Sequence, residues 1–229
     1  MNLCSVCGAP VRPPYEPPAA ELSPDLDFRQ GEPARSTLKR WIAECSGCGA
    51  AAPDLTALST ESGEVVRSDP EYAAIRSQAP AFARPFLLWA LICQRGDKQW
   101  GAAEALLQAA WSADDADEAE WAVAWRAQAA GLWPESKETR PRLCLIDIYR
   151  RAGDFPNAAA VAESLALSEL DESSVAILDF QRRLVAARET GRQLLSSALR
   201  PPATRPHVSY KQKMAPRPGG FWHRLMGRG

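Results

Sequence analysis

Histidine is nearly missing from this chain: of 229 residues only His207 and His223 are histidines, and both lie beyond position 199. The usual general base is therefore absent from the long N-terminal part. Neither a glycine-rich phosphate loop nor a nucleophile elbow takes its place, so nothing in the sequence argues for an enzyme. Long apolar runs are lacking too. The longest, from Phe86 to Cys93, is far short of the ~18 residues a membrane-spanning helix requires. The start, Met1-Asn2-Leu3-Cys4, has no basic segment leading into an apolar one, which argues against secretion and a disulfide framework. A soluble, cytoplasmic protein is expected. Acidic residues are absent from 200–229, where seven Lys or Arg stand, leaving 20 basic against 28 acidic residues in 1–199. A body this acidic is poorly suited to gripping phosphates over a broad face. β-Branched residues are few after position 70, while Ala and Trp are abundant, which favours packed helices over a large sheet.

What the chain does have is two short cysteine pairs, Cys4-Ser5-Val6-Cys7-Gly8 and Cys45-Ser46-Gly47-Cys48-Gly49. Two Cys with two residues between them can aim both sulfurs at one point, and two such pairs supply the four thiolates that tetrahedral zinc prefers. The Gly after each pair suits a chain that wraps tightly round a metal-bound sulfur. Cys4, Cys7, Cys45 and Cys48 are thus the expected ligands of a structural Zn2+. A thioredoxin-like pair is weaker, because Gly8-Ala9-Pro10 does not readily open a helix. A catalytic zinc would leave a coordination position for water, which four thiolates fill. The 37 residues between Cys7 and Cys45 imply a ribbon with a long insertion. Cys93 and Cys144 lie in apolar stretches and read as core residues.

Within the insertion, prolines 10, 13, 14, 17 and 18 predict extended chain, and residues 36–44 read as a strand with Leu38, Ile42 and Trp41 towards a small core. Asp69-Pro70 starts a helix over 70–77. A second, beginning near Ala81 or Pro85, stops at Gly96, and residues 102–111 form its partner. The carboxylates Asp114, Asp115, Asp117, Glu118 and Glu120 read as the solvated start of the next helix. Apolar residues from Leu143 to Tyr149, then Gly153-Asp154, then 158–167, repeat the hairpin design 57 residues after Gly96-Asp97. That spacing exceeds the 34-residue period of a regular TPR array. A last helix is expected from Ser173 or Ser174 to about Leu199, with Val175, Leu178, Leu184 and Val185 inward and Arg182, Arg183 and Arg188 outward.

The order of a first knuckle, Asp25-Leu26-Asp27-Phe28-Arg29, a second knuckle and Ala52-Pro53-Asp54-Leu55 resembles an uncharacterised bacterial family that joins a zinc-ribbon-like module to TPR-like helices. The resemblance spans roughly residues 4–190 and implies metal binding. The chain departs from the family at Ser5 and Ser46, where Pro often follows the first Cys, and at Ala50, where an aromatic is common.

The expected fold is mainly α: a small zinc-ribbon-like β module over 1–68, an α-helical hairpin (TPR-like) domain over 69–199 and a disordered, basic, Pro-rich tail over 200–229. Phe221, Trp222, Leu225 and Met226 would share one face of a helix at its end. The expected function is that of a non-enzymatic zinc-binding interaction or scaffold protein. Its protein partner would be engaged through the helical hairpins or through Phe221, Trp222, Leu225 and Met226. The alternative is nucleic-acid association through ribbon and basic tail.

Overall fold

The computed structural model describes residues 2–199; the tail and its four apolar residues lie outside them. The chain opens with β1 (Asn2–Leu3) and β2 (Pro10–Val11), an antiparallel pair, and later repeats the design in β3 (Ala43–Glu44) and β4 (Ala51–Ala52). The two hairpins match at an offset of 41 residues, strand for strand and cysteine for cysteine, as in Cys4 and Cys45. The segment 36–44 is not a single strand. A 3-10 helix, Arg35–Arg40, occupies most of it, and only Ala43–Glu44 is extended. Its alternation was weak, and Leu38 and Ile42 reach the core from the turn and the residues after it, satisfying the same burial without a strand.

Helices α1 (Thr60–Ser68) and α2 (Pro70–Gln78) are separated by one residue. That residue, Asp69, closes α1 and caps α2, its side chain accepting from the backbone N–H groups of Glu71 and Tyr72 beside the N1 proline. Next come α3 (Arg84–Arg95), α4 (Gln99–Asp115), α5 (Ala119–Leu132), α6 (Thr139–Arg151), α7 (Phe155–Ala166), α8 (Glu172–Ala186) and the short α9 (Leu195–Ala198). The last helix of the sequence reading is therefore two, broken after Ala186. Val175 in α8 is exposed rather than inward, while Ile177, Leu178 and Val185 take the buried face.

Three-residue loops join α3 to α4, α4 to α5 and α6 to α7, and all three close alike. Asp97, Asp117 and Gly153 adopt positive φ (54°, 58° and 80°). In each loop the next residue's N–H reaches back five positions: Lys98 to Cys93, Glu118 to Ala113 and Asp154 to Tyr149. Arg188 (φ 53°) and the bond from Glu189 to Leu184 end α8 in the same way. These are Schellman closures, in which the left-handed residue lets otherwise unpaired carbonyls be satisfied. The sequence showed the stop at Gly96, but the left-handed position there belongs to Asp97. Asp tolerates that conformation better than most residues with a Cβ.

The helices pack as successive hairpins, with α5 against α6 and α8 against both α6 and α7. One apolar cluster runs from Cys4, Cys45 and the alanines of β4 through α3, α4 and α5 to Cys144 and Ile148. A second joins Leu26 to α6, α7 and α8. Ribbon and helices thus share a core, and residues up to 199 form one compact unit. No helix among the described residues is long and apolar enough to cross a membrane.

Candidate metal centre

In each knuckle the first cysteine's N–H bonds to the carbonyl five residues on, Cys4 to Ala9 and Cys45 to Ala50 (2.8 Å each). The glycine's N–H returns to the first cysteine's carbonyl, Gly8 to Cys4 and Gly49 to Cys45, again at 2.8 Å. Gly8 and Gly49 make this turn at φ 72° and 76°, where a Cβ would be strained. At Gly49 a Cβ would also lie 2.8 Å from Arg76 Cδ, and the Arg76 guanidinium donates to the Cys48 carbonyl. The knuckle is thereby tied to α2. Tyr72 adds a second tie: its hydroxyl donates to the Gly49 carbonyl and accepts from the Ala51 N–H.

The consequence is that Sγ atoms of Cys4, Cys7, Cys45 and Cys48 all lie within 4.8 Å of one another. Two close approaches cross between knuckles, Cys4 to Cys48 at 3.8 Å and Cys7 to Cys45 at 3.7 Å. These are too long for a disulfide, in which S–S is about 2.05 Å, and all four are free thiols. Such a group could hold a metal ion. The four sulfurs are not equivalent. Burial raises the Cys48 thiol to about 12. Burial acts on Cys45 too, but the backbone N–H groups of Cys48 and Gly47 outweigh it and hold that thiol at about 7. Cys4 and Cys45 are buried, Cys48 is half-buried and Cys7 is exposed. Cys93 and Cys144 are buried apart from this group, as the sequence indicated, and the Cys144 thiol donates to the Asp27 carbonyl at 3.2 Å.

The insertion between the knuckles carries a second polar centre. Residues 25–29 form a turn, with Phe28 at φ 60°, lodged between α4, α6 and the chain before α9. Leu26, fully buried, enters the second apolar cluster. Asp27 accepts from Trp111 Nε1 at 2.8 Å and from Arg151 at 3.3 Å, and Arg126 stands 3.7 Å away. Arg126 and Arg151 also hold Asp114, and Arg29 reaches the Trp111 carbonyl and Asp115. Asp25 pairs with Arg35 (2.7 Å) and Arg192 (2.8 Å).

Two members of the acidic cluster are therefore not a solvated helix start. Asp114 and Asp115 end α4, where the dipole disfavours carboxylates, and the arginines offset that cost. Desolvation would raise the Asp114 carboxyl, but hydrogen bonds and charge from Arg126, with Arg151 behind it, hold it below its ordinary value.

A cavity of about 450 Å³ opens beside this centre, walled by Phe28, Trp41, Trp100, Trp111 and Trp133. Sequence reading missed it. The signal was the spacing Trp100, Glu104, Gln108, Trp111, which puts these side chains on one face of α4. The facing residues come from the insertion and from the chain before α6, which no periodicity could place. No family model, curated protein or solved structure matches this chain.

Proposed function

We propose that this protein is a non-catalytic scaffold clasped by one structural Zn2+ on Cys4, Cys7, Cys45 and Cys48, with its helical hairpins offering a surface to a protein partner. One observation carries the metal reading: a tetrahedron with Zn–S bonds of about 2.3 Å has S···S edges of roughly 3.8 Å, and the two cross-knuckle approaches are 3.7 and 3.8 Å. Soft thiolates select zinc over hard cations. Six free cysteines suit a reducing compartment such as the cytoplasm. The role of the clasp is mechanical, since it ties together two ends of a 37-residue insertion that braces both apolar clusters. The resemblance to a family joining zinc-ribbon-like and TPR-like parts agrees with this division of labour. For the partner surface, Trp121 and Val123 of α5 and Val175 of α8 are exposed apolar side chains on the helical body.

Metal analysis of protein purified without added zinc should give about one Zn2+ per chain, and Cys45→Ser should lose it with a large fall in stability, because a structural site contributes on the order of 10 kcal/mol. Substoichiometric zinc together with an unchanged Cys45→Ser melting curve would sink the reading. Affinity capture from native lysate, with Trp121→Ala and Val123→Ser as paired controls, tests the helical surface.

A second reading, nucleic-acid association, has its own observation. A groove of about 720 Å³ beside the second knuckle is lined by Arg12, Lys39, Arg40 and Tyr15, with Arg40 lying 4.0 Å over the Tyr15 ring. Binding through it would weaken steeply as salt rises, through counterion release. Retention of a partner that ignores salt favours the scaffold.

A further inference from the structure

The tryptophan cavity is the part of the molecule that the scaffold reading leaves unused. Its wall on α4 is Trp100, Glu104, Gln108 and Trp111, one turn apart from each to the next, with Leu107 beside them. Aliphatic residues would normally fill a helix face turned towards other elements. Here Leu107 is the one aliphatic side chain of α4 on the wall, and two indoles flank two hydrogen-bond acceptors. Opposite them stand Trp41 from the insertion and Trp133, which packs on Trp100 with ring centroids 4.9 Å apart.

Two buried polar atoms on this wall have no hydrogen-bond partner: the acceptor Gln108 Oε1 and the donor Trp133 Nε1. Leaving such atoms unpaired forfeits their hydration with nothing in return. Glu104, and Glu138 at the rim, enter no ion pair among the described residues. Although part of Glu104 reaches solvent, the protein around its carboxyl raises it above its ordinary value by desolvation, against the opposing effect of the Trp100 N–H. A cation placed beside it would relieve that cost.

Aromatic faces attract cations through the ring quadrupole, and a flat guanidinium can lie on an indole while donating to acceptors in its own plane. The chain shows this chemistry at the same wall. Arg140 lies over Phe28 at 4.7 Å, and Arg29 over Trp111 at 5.9 Å. Trp41, Trp100 and Trp133 have no such cation among the described residues.

We propose that this cavity binds an arginine side chain carried by a peptide. The guanidinium lies against Trp100 and donates to Glu104 and Gln108 Oε1, while a main-chain carbonyl of the peptide accepts from Trp133 Nε1. A nucleotide fits less well, because its phosphates would meet the carboxylates of Glu104 and Glu138, while the one cationic residue of the lining, Arg140, lies over the Phe28 ring. The inference is independent of the zinc reading, since it would hold whichever ion the knuckles take.

The test is a titration of the full chain, followed by tryptophan fluorescence, with N-acetylarginine amide, its neutral isostere N-acetylcitrulline amide, and n-propylguanidine, which keeps the single charge of the guanidinium but lacks the carbonyl. The arginine amide should give a saturable change, and the citrulline amide should bind at least ~10-fold more weakly, a difference of about 1.4 kcal/mol. Glu104→Gln should weaken the arginine amide about 10-fold and leave the citrulline amide unaffected, with the circular dichroism spectrum and metal content as checks on folding. Propylguanidine should bind more weakly than the arginine amide; equal or tighter binding would overturn the peptide-borne form. No saturable response, or an equal response to arginine and citrulline amides, overturns the proposal on the wild-type protein alone, whether or not the variants fold.

Discussion

Asp27 gathers partners from α4, α5 and α6. Its carboxylate is buried, takes the Trp111 and Arg151 donors and faces Arg126, while its carbonyl accepts from Cys144. Asp27→Ala would leave two buried guanidinium groups and an indole N–H under-satisfied, so it should destabilise the fold by about 3–5 kcal/mol in urea unfolding. A loss below 1 kcal/mol would show that the bonds these arginines already make to Asp114 suffice to satisfy them. Asp147 is a different kind of acid. Burial outweighs its bond to Arg150 and raises it to about 6. Between the ordinary carboxylate value and 6 the folded chain holds a proton that the unfolded chain has released. Stability from this group therefore grows as pH falls from 7 towards 5 and is lost as pH rises through 6. Asp147→Asn should lack that gain, and unfolding profiles of the two proteins that run parallel over pH 4–7 would refute it. Asp114 has the opposite sign: its depressed carboxyl stabilises the fold at neutral pH, and that contribution disappears as acid protonates it.

The recurring element is the helix end. Four helices close with a left-handed residue, yet only one of the four positions is Gly. A residue with a Cβ gives up roughly 1 kcal/mol or more in that conformation. Asp97→Gly and Asp117→Gly should therefore each raise stability by about 0.5–1 kcal/mol, and Gly153→Ala should lower it by a similar amount. Thermal melts of the three variants would check the signs. This uniform closure also explains why the sequence showed two hairpins where there are three. Gly96 and Gly153 are visible punctuation, whereas Ala116-Asp117-Glu118 closes the same turn without glycine and hides among carboxylates.

At the scale of the whole molecule, the knuckles are not an appendage. Cys4 and Cys45 sit in the same apolar cluster as α3, α4 and α5, and Arg84 reaches back from α3 to Glu44. Removing the proposed ion should therefore loosen the knuckles first. With a thiol reagent under native conditions, chelation should expose the four knuckle cysteines while Cys93 and Cys144 stay protected until the chain unfolds. Six thiols reacting at once would mean that the helical body does not survive loss of the ion.

The sequence by itself determined which four cysteines come together and the helical class. Cys-x-x-Cys-Gly is a local device whose geometry follows from a few adjacent dihedrals, and a cap such as Asp69-Pro70 acts within one turn. Helix bodies were legible for the same reason, since their periodicity is short-range. Only the tertiary structure decided what residues 25–29 do, which carboxylates are buried and where the tryptophans meet. Asp27 and Arg151 are 124 positions apart, and whether a charge near one of them is solvated or paired depends on packing that neighbouring residues do not encode. The strand expected over 36–44 failed for a related reason: a 3-10 turn ending at Arg40, with Ile42 just after it, buries Leu38 and Ile42 as well as a strand would, and the choice between them rests on contacts with α4.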